Sequence, residues 1–224
     1  MKTIGITQLL YLCLLNYMIQ IEEINRKFND ELLQQIEGLL PKDHTYRLGM
    51  PSEILQSAQI PDLPIELRAS RLSDKAMQET HPFDLREIMD LPKAVQSPLA
   101  IFRSATHLGH YVVLTDLEHE GKNYIIAIEI NKSFGKMKTN SVRSVHYRTS
   151  NVHIINWINE GLMDYVDKKR ITEWLSKQRY NSADVKKPFS HTVYSSKQQY
   201  NSAEVRKLFN HVAKVIQNFE NAKF

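Results

Sequence analysis

Five side chains in the middle of the chain carry groups suited to proton transfer and charge stabilisation: Ser104, Arg143, Ser144, His146 and Tyr147. Histidine exchanges a proton near neutrality, and a guanidinium holds charge developing on phosphate oxygens. Together with a hydroxyl they suit metal-independent cleavage of RNA: one group takes the 2′-hydroxyl proton, a cation stabilises the phosphorane, and another group protonates the leaving oxygen. A strand over 139–147 would place Asn140, Ser144 and His146 on one face and Arg143 and Tyr147 on the other. The bland alternative is a solvated sheet face decorated with polar residues.

Other chemistries have less support. Cys13 is the single cysteine, so an intrachain disulfide and a cysteine-based zinc site are excluded. The seven glycines form neither GxGxxG nor GxxxxGK[ST], which argues against a nucleotide-binding enzyme. No Gly-x-Ser-x-Gly elbow is present. Of the nine histidines, His107 and His110 are the best-spaced pair, but two ligands do not make a structural zinc site; no metal and no cofactor are expected.

Charge is divided unevenly. Residues 1–98 carry 10 Lys and Arg against 14 Asp and Glu, whereas residues 99–224 carry 19 against 11. The basic half suits a polyanion such as RNA, DNA or an anionic membrane surface, the bland alternative being a solvated Lys-rich face; with the cleavage chemistry above, RNA is the partner expected, held by Arg103, Lys136, Lys138, Asn140 and Arg148.

The elements that position these residues follow from periodicity. Ile21–Leu40 is apolar at helical spacing and stops at Pro41. The Pro-rich stretch 41–64 reads as a loop with one helical turn at Ser52–Ser57, and Pro64 as the first residue of a helix running to about Glu79. Asp84 is a plausible N-cap for Leu85–Met89. Four segments then read as strands: Leu99–Ser104, His110–Leu117, Tyr124–Ile130 and Thr139–Tyr147, with Asn131–Lys138 as a mobile connection. Helical spacing returns over Val152–Glu160, ending at Gly161, and again after Asp167 through Leu175. The expected fold is α+β: N-terminal helices, a four-stranded antiparallel sheet and C-terminal helices.

The divisions expected are a helical leader at 1–40, separable from the sheet; a Pro-rich loop and helix at 41–79; and a sheet-bearing domain at 80–224. Ser176–Val185 recurs as Ser196–Val205, a duplicated helix start within a duplication spanning 176–212, with Ala203–Phe219 as the terminal helix. The expected location is cytoplasmic, with the apolar stretch from Ile4 to Ile21 offering a signal or membrane anchor as the alternative.

Several short motifs carry a family likeness. His81-Pro82-Phe83 with Leu85, Leu91-Pro92, Pro98-Leu-Ala-Ile-Phe102-Arg-Ser104, the hairpin Val112–Ile130, Asn140-Ser-Val-Arg-Ser144-Val145 and Ile155-Asn-Trp157 resemble the MuF C-terminal domain of phage head-morphogenesis and polyvalent proteins. The resemblance spans about residues 80–185, and the segment from Tyr46 to Leu72 resembles the leader that precedes the domain in mobile elements. It implies a RelE/barnase-like fold, in the group with barnase, EndoU, colicin and RelE-like nucleases. It also implies an endoribonuclease acting as a toxin or effector of a phage or conjugative element, with an immunity or antitoxin protein as a partner. Matched position by position, the family's serine is Ser104, and the Asn and Ser of its later motif are Asn140 and Ser144. His146 stands where the family often has Tyr, with Tyr147 following. The competing expectation is a non-catalytic module of a mobile element that binds nucleic acid or protein.

Overall fold

The computed structural model describes residues 6–77, 82–147 and 152–177. Its centre is a seven-stranded mixed sheet rather than the expected four-stranded antiparallel one, while the α+β class holds. The strands are β1 (Thr45–Arg47), β2 (Ile65–Arg68), β3 (Ala100–Arg103), β4 (His110–His119), β5 (Lys122–Phe134), β6 (Met137–Tyr147) and β7 (Met163–Val166). They lie in the order β1-β2-β6-β5-β4-β3-β7.

Four of these strands are the expected ones. The β4–β5 hairpin closes on Glu120 (φ +48°) and Gly121 (φ +74°), a pair of left-handed residues that matches the right-handed twist of its strands. The connection expected over 131–138 is itself strand: β5 and β6 continue to a two-residue turn at Gly135-Lys136, with Phe134 opposite Met137.

The three additional strands share one cause. Each has only three or four residues, and β1 and β2 sit where proline punctuation argues against extended pairing. Ile65 and Leu67 have strand rather than helix periodicity. Both are buried, while Arg68 ends the strand exposed, and the helix that follows, α3 (Ala69–Ala76), is correspondingly short. β1 pairs antiparallel with β2, and β2 pairs parallel with β6 through Ile65–Asn140 and Glu66–Ser141. At the other edge β7 pairs with β3, after Gly161 (φ +73°) has ended α5 (Val152–Asn159).

Helices cover both faces. On one side lie α1 (Ile6–Ile36), α2 (Glu53–Ser57), α3, the 3₁₀ helix Leu85–Ile88 and α4 (Leu91–Gln96). Phe28 and Leu32 of α1, Leu55, Leu72, Ile88 and Val95 pack there with Tyr111, Val113, Ile126, Ile128, Val142 and Val145 of the sheet. On the other side α5 and α6 (Lys168–Lys177) pack Ile154, Ile158, Ile171 and Trp174 against Phe102, Leu114 and Ile125. Asp84 accepts from Arg86 N, and Asp167 accepts from Lys169 N and Arg170 N, the expected caps.

Two buried amide side chains tie elements that no backbone ladder joins. Gln96 accepts from Ser52 N at 2.7 Å and donates to the carbonyls of Leu48 (3.2 Å) and Met50 (2.9 Å). Asn123 accepts from Trp174 Nε1 at 2.6 Å and donates to Thr115 O at 2.9 Å, where the β4–β5 register shifts. α1 does not stand apart as a leader. Its second half shares the first core with the sheet, Gln35 donates to Ala69 O and Ser73 Oγ, and Asn25 and Asn29 donate to Asp90. The boundary expected at residue 40 therefore crosses one hydrophobic cluster. The duplication at 176–212 and the helix expected at 203–219 fall, apart from Ser176 and Lys177, outside the described residues. Among the described residues no helix is long and apolar enough to cross a membrane.

This packing sets an expectation for α1. Phe28 is 1% exposed and its ring centroid lies 5.0 Å from that of Tyr46. Phe28→Ala should destabilise the fold by about 3–5 kcal/mol, as for other buried aromatics cut to Ala, and deletion of residues 1–40 should abolish cooperative unfolding. Urea denaturation followed by tryptophan fluorescence checks both; a native-like transition in the deletion would restore the separable leader.

Candidate active-site cleft

The cleft forms beside the end of β3 and the start of β4, against the middle of β5 and β6. Ser104 follows β3, and its backbone N–H donates to His110 O at 2.9 Å, folding the 104–110 loop back onto the start of β4. Ser104 Oγ accepts from Thr106 N (3.3 Å) and His107 N (3.2 Å), so its hydroxyl organises the turn. His107 and His110 are thereby brought to 5.2 Å between ring centroids, and Thr106 Oγ1 lies 2.7 Å from His107 Nδ1.

Opposite them stands a carboxylate. His110 pairs with Glu129 across the β4–β5 ladder. Without the register shift between Leu114 and Glu118, the turn would set His110 opposite Asn131. Glu129 is 3.0 Å from Lys132 Nζ and 3.4 Å from Arg143 Nη1. A second irregularity positions Arg143. The β5–β6 register passes from Ala127–Ser144 to Ile128–Val142, leaving Arg143 as the extra residue of a bulge. Strict alternation would separate Arg143 from Ser144, yet both line the cleft.

Ser104, His107, His110, Glu129, Lys132 and Arg143 surround an open cleft of about 570 Å³, which Lys75, Tyr111 and Ser144 complete. Burial holds the His110 imidazolium pKa below its ordinary value; Glu129 opposes this, and the charges of His107, Arg143 and Lys132 reinforce it. His110 is thus poised as a neutral base at pH 7. For Glu129, burial works to raise the pKa, but the Lys132 hydrogen bond and the charges of Lys132, Arg143 and His110 outweigh it and keep the carboxyl below its usual range.

Three of the five residues expected to do chemistry meet here: Ser104, Arg143 and Ser144. His146 and Tyr147 do not line the cleft. His146 lies farther along β6 opposite Ile125. Tyr147 is buried in the first core, stacked on His119 at 4.2 Å, with its hydroxyl donating to Pro82 O at 3.3 Å. That layer holds its own polar cluster: Glu87 accepts from Tyr124 OH at 2.9 Å and lies 2.6 Å from His119 Nδ1.

The residues expected to bind RNA scatter. Arg103 turns to β7, its Nε 3.0 Å from Asp164 and a guanidinium N–H donating to Gly161 O. Lys136 sits at the hairpin tip and Lys138 is exposed beside it, while Arg148 lies outside the described residues. Asn140 is fully buried and donates to the carbonyls of Pro61 (2.8 Å) and Leu63 (2.9 Å). Its side chain serves the fold.

Sequence reasoning passed over Glu129, Lys132 and Lys75 and treated the two histidines only as metal ligands. Gly109-His110 opening a strand was a usable signal for the histidine, but the carboxylate partner depended on the register shift. Among the described residues no group of three or more His, Cys, Asp or Glu side chains converges as metal ligands would.

The burial of Asn140 yields a direct test. Asn140→Ala removes the side-chain donor that two partly buried carbonyls share and should cost about 1–3 kcal/mol. Chemical denaturation reads the loss.

Compared with curated proteins and with solved structures, the chain finds no match. Residues 72–173, the stretch that builds α4, β3 to β7 and the whole strand framework of the cleft, match the model of the phage MuF-C-terminal domain family.

Proposed function

We propose that the cleft cleaves RNA without a metal, in a protein that serves a phage or conjugative element as a toxin or effector. The observation that carries the reading is the pairing of a partly buried histidine held neutral, His110, with Arg143 and Lys132 around one carboxylate. Neutral His110 takes the proton of a ribose 2′-hydroxyl as its oxygen attacks the adjacent phosphorus. The bond from phosphorus to the 5′-oxygen breaks, leaving a 2′,3′-cyclic phosphate and a 5′-hydroxyl. His107, its ring 5.2 Å from that of His110, supplies the proton to the departing oxygen. Arg143 and Lys132 stabilise the charge of the phosphorane, the step at which fixed cations contribute most. Glu129 holds both cations in place and keeps His110 more basic than burial alone would leave it. The match to a phage domain family supports the mobile-element setting, and the nuclease grouping of that family is adopted as part of the same proposal. An immunity protein would neutralise such an enzyme by covering this cleft.

Cleavage of total RNA in EDTA tests the reading. His110→Ala should lose about 10²- to 10⁴-fold in rate, the usual value of a general base, with RNA affinity within a few-fold; His146→Ala should retain activity. Absence of cleavage by the folded parent protein would leave the nucleic-acid-binding module instead.

The pH profile gives a separate check. Activity should rise with pH along a limb whose midpoint lies below the ordinary histidine value of about 6.5. Glu129 raises the His110 pKa, so Glu129→Gln should move that limb to still lower pH. A limb that moves upward would remove Glu129 from this role.

A further inference from the structure

α3 carries a basic stripe beside the cleft. Arg68, its N-cap residue, Arg71 and Lys75 fall at helical spacings of three and four, within about 60° of arc. Leu72 and Ala69 fill the neighbouring buried face, so the stripe is held at the margin of the packed side. α3 runs beside the edge of β6 beyond the point where β2 stops pairing, and Arg71 donates to Arg143 O at 3.4 Å. Lys75 lines the cleft itself. From Arg68 to Lys75 the stripe extends about 10 Å along the helix axis, more than one phosphate group can occupy.

Glu129 is the one carboxylate among the residues lining the cleft, and it already faces Lys132 and Arg143. Burial, Arg143 and Arg68 together depress the Arg71 pKa, with Glu129 opposing them, so these guanidinium groups lie close enough to repel one another. An anionic ligand between these guanidinium groups would lessen their mutual repulsion.

We infer that Arg68 and Arg71 form a second phosphate subsite contiguous with the cleft, so that its ligand is a single-stranded polynucleotide several phosphates long rather than a mononucleotide. This rests on the proposed reading of the cleft for the identity of the ligand as RNA. Lys75 links the two stretches, and the backbone bond from Arg71 to the bulge couples the subsite to Arg143.

Fluorescence anisotropy with 2′-O-methyl RNA of two, four and eight nucleotides tests it, because these oligomers bind but cannot be cleaved through the 2′-oxygen. Affinity should rise steeply from two to eight nucleotides. Arg71→Ala should weaken the eight-nucleotide ligand several-fold, leave the dinucleotide within two-fold, and reduce the salt slope by about 0.7, the value of one phosphate contact on a single strand. Arg68→Ala, which leaves the Arg71 bond to β6 intact, should do the same, and Arg71→Lys should restore most of the affinity. Equal affinity for two and eight nucleotides, or equal weakening of both lengths by Arg71→Ala and Arg68→Ala, would overturn the subsite. Length-dependent binding by a protein that cleaves nothing would uphold the subsite while removing the ribonuclease reading. Selective binding of an acidic protein with no oligonucleotide binding would overturn it.

Discussion

The seven-stranded sheet depends on a contact only two residues long. β2 meets β6 in parallel at Ile65–Asn140 and Glu66–Ser141, and nothing else in the strand ladder joins the N-terminal elements to the hairpins. So short a pairing gains its definition from Asn140. Its backbone N–H donates to Pro64 O and its side chain to Pro61 O and Leu63 O, so one residue serves three carbonyls of the 61–64 loop, where two prolines lack donors. Gln96 does the equivalent for the 48–52 loop. With both amides in place, β1, β2 and α3 become fixed extensions of the sheet, and α3 reaches the cleft.

The cleft depends in turn on two departures from regular pairing. The shift in β4–β5 brings Glu129 to His110, and the bulge in β6 brings Arg143 beside Ser144. Either strand, kept regular, would distribute these side chains differently. Irregularities at strand ends re-aim side chains at the cost of a ladder bond. Here they gather cations around one carboxylate at the rim of a rigid sheet, with the apolar layers below untouched.

Legibility of the sequence follows the same division. The β4 and β5 strands, the helix ending at Gly161 and the caps at Asp84 and Asp167 are local phenomena, written in alternation, turn residues and capping oxygens. β1, β2 and β7 are not local. Ile65-Glu-Leu-Arg68 has too few residues to declare a period, and after Pro64 a helix start is the better local reading; pairing with β6, 75 positions away, makes it a strand. Ser104, Arg143 and Ser144 were legible as candidates because their types suit the chemistry. Alternation puts His146 on the face of Ser144, and only the tertiary structure shows that the cleft reaches Ser144 and not His146. Glu129 and Lys132 were hidden behind a register shift that no nearby residue announces.

The parallel junction also imposes an order on synthesis. Ile65 and Glu66 leave the ribosome 75 residues ahead of Asn140 and Ser141, which at about 5–20 residues per second is a delay of about 4–15 s. Through that interval Phe28, Leu32 and Leu72 have no sheet to cover them, and β2 has only the three-residue β1 as a partner. The nascent N-terminal third therefore carries apolar surface that stays uncovered until the last hairpin strand docks.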